Sequence, residues 1–331
     1  MSRASETLAD LPLSTRTILS ACLLTYLYQF LLDPPLRNYT MCPQNVLYLH
    51  EYYRVITSAL FHGGLMHVGM NCMSAMAIGG VLEKRIGTLM MGLTVLWGIL
   101  LTSVVYVFVS WMLYATFGYE KMMLQHSLGF SGVIFQLSVL ESNTGSGNRT
   151  RSIFGMITVS SKMYPWALLV VLQFVMPHIS FLGHLSGILV GTLQYHGALD
   201  GLFPSATYLR ELEASERLGF VRGHGGYVNV PEAGWRRESP GNIVSGLFAA
   251  FGGIIAFAKN ACETIKIIIF GRGADANANI QLGELGAAWG SGDAAGTASS
   301  ATGSGAVRGN VEDDEEWVGL PAAIQRSTEE R

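Results

Sequence analysis

Charge is scarce in this sequence: Asp, Glu, Lys and Arg make up 14% of 331 residues, against 50% hydrophobic. None of the four occurs from Thr17 to Leu32, Val55 to Leu82, Ile86 to Tyr119, Met122 to Leu140 or Met163 to Leu199. Soluble folds rarely tolerate five such gaps, so the composition excludes an average soluble domain and sets a membrane protein as the expectation. The net charge of −3 gives no reason to expect nucleic-acid binding, and the acidic excess is gathered at Glu312 to Glu316. Cysteine is also scarce. Four are scattered along the chain, Cys22 and Cys72 within apolar stretches, without the paired spacing of a disulfide framework or zinc site. His67 and Asn71 are four apart, but no Glu lies between them, so the HExxH metal pattern is absent and neither metal nor cofactor is expected.

What is present is length in the apolar runs. A helix crossing a bilayer core of about 30 Å needs roughly 17 to 25 mostly apolar residues. Six segments approach this, at 17–33, 65–83, 88–114, 128–141, 160–176 and 180–198, which predicts an all-α membrane bundle of six transmembrane helices. Arg3, Arg16, Lys84, Arg85, Arg149, Arg151 and Lys162 fall on one side of it, and only Arg37, Arg54 and Lys121 on the other. Positive loops favour the cytosol, so both termini are expected there. The N-terminus shows no apolar core with a small-residue cleavage site, so residues 1–16 read as a cytosolic leader. The first outer loop, 33–64, is partly apolar and reads as half-embedded. Residues 17–199 form the bundle and 200–270 a juxtamembrane region with interfacial amphipathic helices, the apolar runs being 243–257 and 265–270. Residues 271–310, rich in Gly, Ala, Ser and Asn, read as a disordered linker before a short terminal segment, 311–331.

Chemistry concentrates in three of the six segments. The fourth opens on Gly129-Phe130-Ser131-Gly132, and the sixth contains Gly183-His184-Leu185-Ser186-Gly187 and then Gly191. His184, Gly187 and Gly191 share one helical face, and a titratable side chain inside a span is costly and by default functional. Counting about 1.5 Å per residue from Glu141 and Asp200, Ser131 and His184 both land in the outer half of the bilayer. Glycines 132, 187 and 191 permit the close backbone approach that brings a hydroxyl to an imidazole. A serine hydroxyl needs such a base to act as a nucleophile. His67 and Asn71, on one face of the second segment, can donate to an oxyanion beside the Ser131 N–H. Taken singly, each motif also has a packing explanation: a small-residue face, a core histidine, an interhelical hydrogen bond.

Together, and in this order, the motifs resemble the rhomboid intramembrane proteases over Tyr53 to Gly191: FHGGLMHVGMN at 61–71, GGVLEKRIG at 79–87, GFSG at 129–132 and HLSGILVG at 184–191. The resemblance implies a serine endopeptidase that cuts transmembrane proteins in the lipid bilayer, with Ser131 as nucleophile, His184 as its partner without a third acid, and His67 and Asn71 as the oxyanion hole. It matches Glu83 and Arg85 to a structural Glu-x-Arg pair and Arg54 to a Trp-Arg loop motif in which Tyr53 replaces the tryptophan. Phe135 stands where many members carry a tyrosine on the catalytic histidine. The likeness extends to endoplasmic-reticulum rhomboids with a cytosolic ubiquitin-interacting motif, which Leu320, Ala323, Ile324, Ser327 and Glu330 resemble. That implies residence in the endoplasmic reticulum and ubiquitin or ubiquitinated proteins as partners. Two other readings remain open on residues alone: a non-catalytic rhomboid relative that binds membrane clients, and a transporter, although no internal repeat supports the latter.

Overall fold

The computed structural model describes residues 10–143, 149–176 and 179–232. The chain divides into two units, Met1–Ile269 and Phe270–Arg331, and every described residue belongs to the first. The expected linker 271–310, the apolar runs after residue 242 and the tail residues Leu320, Ala323, Ile324 and Ser327 lie outside the described residues.

The described chain is mostly helical. Its elements are α1 (Leu13–Leu32), α2 (Pro43–Tyr48), α3 (Arg54–Leu60), α4 (Leu65–Ile86), α5 (Thr88–Phe117), α6 (Glu120–Leu124), α7 (Ser131–Asn143), β1 (Thr150–Ile153), β2 (Ile157–Ser160), α8 (Tyr164–Val175), α9 (Phe181–Tyr195), α10 (Ala206–Ala214) and α11 (Gly219–Arg222). Among the described residues, α4 and α5 are long and apolar enough to cross a membrane, which supports membrane association. Helices α1, α7, α8 and α9, with 20, 13, 12 and 15 residues, occupy the remaining segments where spans were expected.

Of the boundaries that differ from the sequence expectation, the starts of α1 and α7 have a plain physical reason. Helix α1 starts at Leu13 rather than 17, because a carboxylate from another helix satisfies its first free N–H groups: Glu83 accepts from Ser14 N at 2.8 Å and Thr15 N at 2.7 Å. Helix α7 starts at Ser131 rather than 128, because Gly129 has φ +107°, a conformation outside the helix. The connection after α7 contains an antiparallel hairpin of β1 and β2, paired from Thr150↔Ser160 to Ile153↔Ile157. Arg151 ties it to the end of α7 through an ion pair with Glu141.

Helix α7 is the central element: every residue from Val133 to Ser142 is buried. One flank joins a core with Leu19, Val68, Leu82 and Met91 from α1, α4 and α5, while Phe135 and Val139 pack with Trp166, Leu169 and Ile188 of α8 and α9. Its contact with α9 is a backbone contact. A Cβ at Gly187 would sit 2.0 Å from the Gly132 carbonyl oxygen, and one at Gly191 2.8 Å from the Gln136 oxygen. Glycine at both positions is what lets the two helices approach this closely.

At the far end of the bundle the chain after α11 returns as a strap. Leu13 N donates to Gly226 O at 2.9 Å and Thr88 N to Val228 O at 2.8 Å. Val230 seats beneath Gly87, which has a φ of +87° and where an added Cβ would come within 2.8 Å of the Val230 Cα, leaving no room for a side chain. Glu213 of α10 anchors the strap, accepting from Tyr227 Oη at 2.7 Å and Val230 N at 3.1 Å.

Candidate active site

The left-handed turn at Gly129 places Ser131 as the first residue of α7, so its N–H has no intrahelical acceptor and its side chain projects from the start of the helix. Across the glycine contact, Ser180 caps α9 by accepting from Gly183 N at 3.1 Å, and His184 follows one residue later. The result is a hydrogen bond of 2.8 Å between His184 Nε2 and Ser131 Oγ. Phe135, one turn below the serine, stacks on the imidazole with ring centroids 4.6 Å apart and planes 29° from parallel. His184 is only 4% exposed, so one ring face is fixed by packing and its Nε2 by the serine. Among the described residues no carboxylate forms an ion pair with His184.

His67 and Asn71 face the same turn. A Cβ on Gly129 would come within 2.6 Å of His67 Nε2 and 3.5 Å of Asn71 Nδ2. His67 Nδ1 accepts from Gly63 N at 3.3 Å, which assigns the proton of a neutral ring to Nε2, on the side of Gly129. Asn71 Nδ2 is buried without a hydrogen-bond partner. An unpaired buried donor costs roughly 1–3 kcal/mol. Such an orphan beside a serine–histidine pair can donate to an oxygen that enters the site.

Beside the pair lies a cavity of about 60 Å³, lined on its polar side by Ser58, Thr102, Tyr106, Ser127 and Ser180. At roughly 15 Å³ per water it has room for a few waters next to Ser131. Its wall is pinned by the first loop: Met41 and Ser127 exchange backbone hydrogen bonds of 2.8 and 2.9 Å, four residues before Ser131. Arg54 holds that loop. Its buried guanidinium pairs with Glu51 and donates to Arg37 O at 2.6 Å and Thr40 O at 2.8 Å, while Tyr53 Oη donates to Asn38 O at 3.0 Å.

The structure thus gathers Ser131, His184, His67, Asn71, Gly129, Gly132, Phe135, Gly187 and Gly191, with Tyr53 and Arg54 acting through the loop. It does not bring Glu83 or Arg85 to them. These lie 16 and 18 residues beyond His67 on α4, about 24 Å or more away along the helix. Sequence reasoning missed the cavity lining, and also a buried amide pair on α7 and α9, Gln136 Nε2 to Gln194 Oε1 at 2.7 Å. The available signal was polarity inside uncharged stretches, which is costly in a membrane. Among the described residues no group of three His, Cys, Asp or Glu side chains could hold a metal ion.

A helical membrane protein with a buried Ser–His pair and adjacent unpaired donors is the class this fold and site define. Residues 49–197 match the family model of the Rhomboid domain. Rhomboid-like protein 15 of Arabidopsis thaliana is 34% identical over 64% of this chain and 53% of its own length. Rhomboid-related protein 4 of Mus musculus is 32% identical over 51% of the chain and 54% of its own length. Rhomboid-type serine protease 2 of Gibberella zeae is 26% identical over 71% of the chain and 85% of its own length. The chain therefore spans about half the length of the first two of these relatives.

Proposed function

We propose that this protein is an intramembrane serine protease that hydrolyses peptide bonds in or near the transmembrane segments of other membrane proteins. The observation that carries this reading is the 2.8 Å contact between His184 Nε2 and Ser131 Oγ in a buried site. His184 accepts the serine proton as Ser131 Oγ attacks the substrate carbonyl carbon, and returns it to the leaving amine. The tetrahedral oxyanion is met by His67 Nε2–H, Asn71 Nδ2–H and the Ser131 N–H, and water from the adjoining cavity resolves the acyl-enzyme. The relative from Gibberella zeae that is named a serine protease supports the assignment. In this reading α1, α4, α5, α7, α8 and α9 are the six helices in the bilayer, both termini are cytosolic, and the endoplasmic reticulum is the compartment. The segment around Leu320, Ala323, Ile324 and Ser327 selects ubiquitinated clients.

The test is active-site labelling of the full-length protein in vesicles by a fluorophosphonate, with cleavage of a model transmembrane substrate followed in parallel. Labelling confined to Ser131 and dependent on His184 is expected. Cleavage that survives in Ser131→Ala would sink the assignment, and so would an inert Ser131 in protein that cleaves.

A further inference from the structure

Along α5, next to the catalytic cavity, lies a larger hollow of about 540 Å³. One wall is the end of α2 and the turn after it, with Leu47, Tyr48 and Tyr52, and the other is α5, with Val104, Phe108 and Trp111. The three α5 residues lie at i, i+4 and i+7, so they form one stripe, and they are 58%, 56% and 43% exposed. An exposed apolar stripe on a helix long and apolar enough to cross a membrane faces lipid. The hollow is that lipid-facing stripe, roofed by the first loop. Helix α5 has 30 residues, about 45 Å, against a hydrocarbon core of about 30 Å, and the hollow lies along its second half. Tyr48, Tyr52 and Trp111 line it, aromatic residues whose polar tips suit the level where headgroups meet hydrocarbon.

We infer that this groove binds a single acyl chain of a bilayer lipid. Water is a poor occupant of a hollow with almost no polar lining. A second helix is too thick. At a diameter of about 10 Å it would fill 540 Å³ within roughly 7 Å of its length, little more than one turn. An unbranched hydrocarbon chain is the narrow apolar body that the surroundings supply in excess, and the groove is continuous with the surface it already wets. Occupancy has a structural consequence, because Ser103 lines both the groove and the catalytic cavity and its Oγ donates to Val55 O at 3.5 Å. A bound chain therefore props α2 and the start of α3 against α5, one residue's thickness from the cavity wall. The inference does not rest on the protease reading.

The full-length protein is reconstituted in phosphatidylcholine vesicles in which a fraction of the lipid carries a diazirine on one acyl chain, irradiated, digested and mapped by mass spectrometry. Adducts several-fold denser on Tyr48, Tyr52 and Trp111 than on Leu96, a 51% exposed residue of α5 outside the groove, are expected. Val104→Trp, which fills the groove from an exposed position, should remove that excess and leave Leu96 labelling and the unfolding temperature unchanged. Equal labelling of groove and Leu96 overturns the inference, since it describes bulk lipid only. Loss of the groove adducts on adding a transmembrane peptide also overturns it, since it assigns the groove to a protein helix.

Discussion

The two ends of α4 handle buried polarity in opposite ways. Near its start, Asn71 Nδ2 is buried and unpaired, and His67 turns its Nε2 toward Gly129. Near its end, Glu83 is fully buried and saturated: Oε1 accepts from Ser14 N and Thr88 Oγ1, and Oε2 from Thr15 N and Oγ1, all at 2.7 to 2.8 Å. Thr88 in turn accepts from Val228 N at 2.9 Å, so one carboxylate joins α1, α4, α5 and the returning strap. A saturated group stabilises the resting fold, whereas an unsaturated one costs stability at rest and returns it only when a ligand or transition state supplies the partner. In the proposed protease the Glu83 end serves stability and the Asn71 end serves the reaction.

The largest effect that breaks this contrast is expected at the pair itself. Ser131→Ala and His184→Ala should each remove cleavage of a transmembrane substrate, by a thousandfold or more, with the unfolding temperature unchanged. Combining them should add little, because the two act as one unit. Asn71→Ala comes next. Removing one oxyanion donor costs about 2.7–4 kcal/mol in the barrier, so turnover should fall a hundredfold or more, while thermal stability holds or rises because an unpaired donor is deleted. Loss of stability equal to the loss of activity would place Asn71 with Glu83 as a structural group.

Glu83→Ala sharpens the comparison from the other end. It strands four donors, Ser14 N, Thr15 N, Thr15 Oγ1 and Thr88 Oγ1, and should cost about 3 kcal/mol or more in stability. Fluorophosphonate labelling per folded molecule should change little, which a melting curve read beside the label would test. The smallest effect is expected at His126, which bonds Thr40 Oγ1 at 2.6 Å in the connection before α7. Burial pushes its imidazole below the ordinary range, and Arg37 and Arg54 add to this. A histidine with a lowered folded pKa contributes stability that is fully present above its unfolded value near 6.5 and is lost as pH falls from there toward the folded value. His126→Gln should therefore flatten the decline in melting temperature between pH 6.5 and 5, and an unchanged slope would assign the decline elsewhere.

Several of these features were legible before any coordinates. Gly187 and Gly191 on the face of His184 announced a close helix contact, and the GFSG string announced where it would fall, because small-residue spacing along a helix is a property of the sequence alone. The start of α7 was not legible. Whether 128 or 131 is the first helical residue depends on the φ of Gly129, and glycine allows either sign. Nor was the hairpin at 150–160, whose strands gain little until Arg151 reaches Glu141 on another element. The strap of 224–230 was hidden for the same reason, since Gly225, Gly226 and Val228 carry no pattern until Arg16, Leu13 and Thr88 offer them partners.

By itself the sequence determined the mostly helical, membrane-associated character, through its uncharged runs, and pointed to Ser131 and His184 as a pair, through the order and spacing of the motifs that contain them. Tertiary structure decided what those residues are to one another. It set the 2.8 Å separation, the tautomer of His67, the unpaired state of Asn71 and the saturation of Glu83. Each of these depends on atomic distances and orientations, most of them between residues dozens of positions apart, and hydrogen-bond energy varies steeply over tenths of an ångström, a scale at which no spacing along the chain is informative.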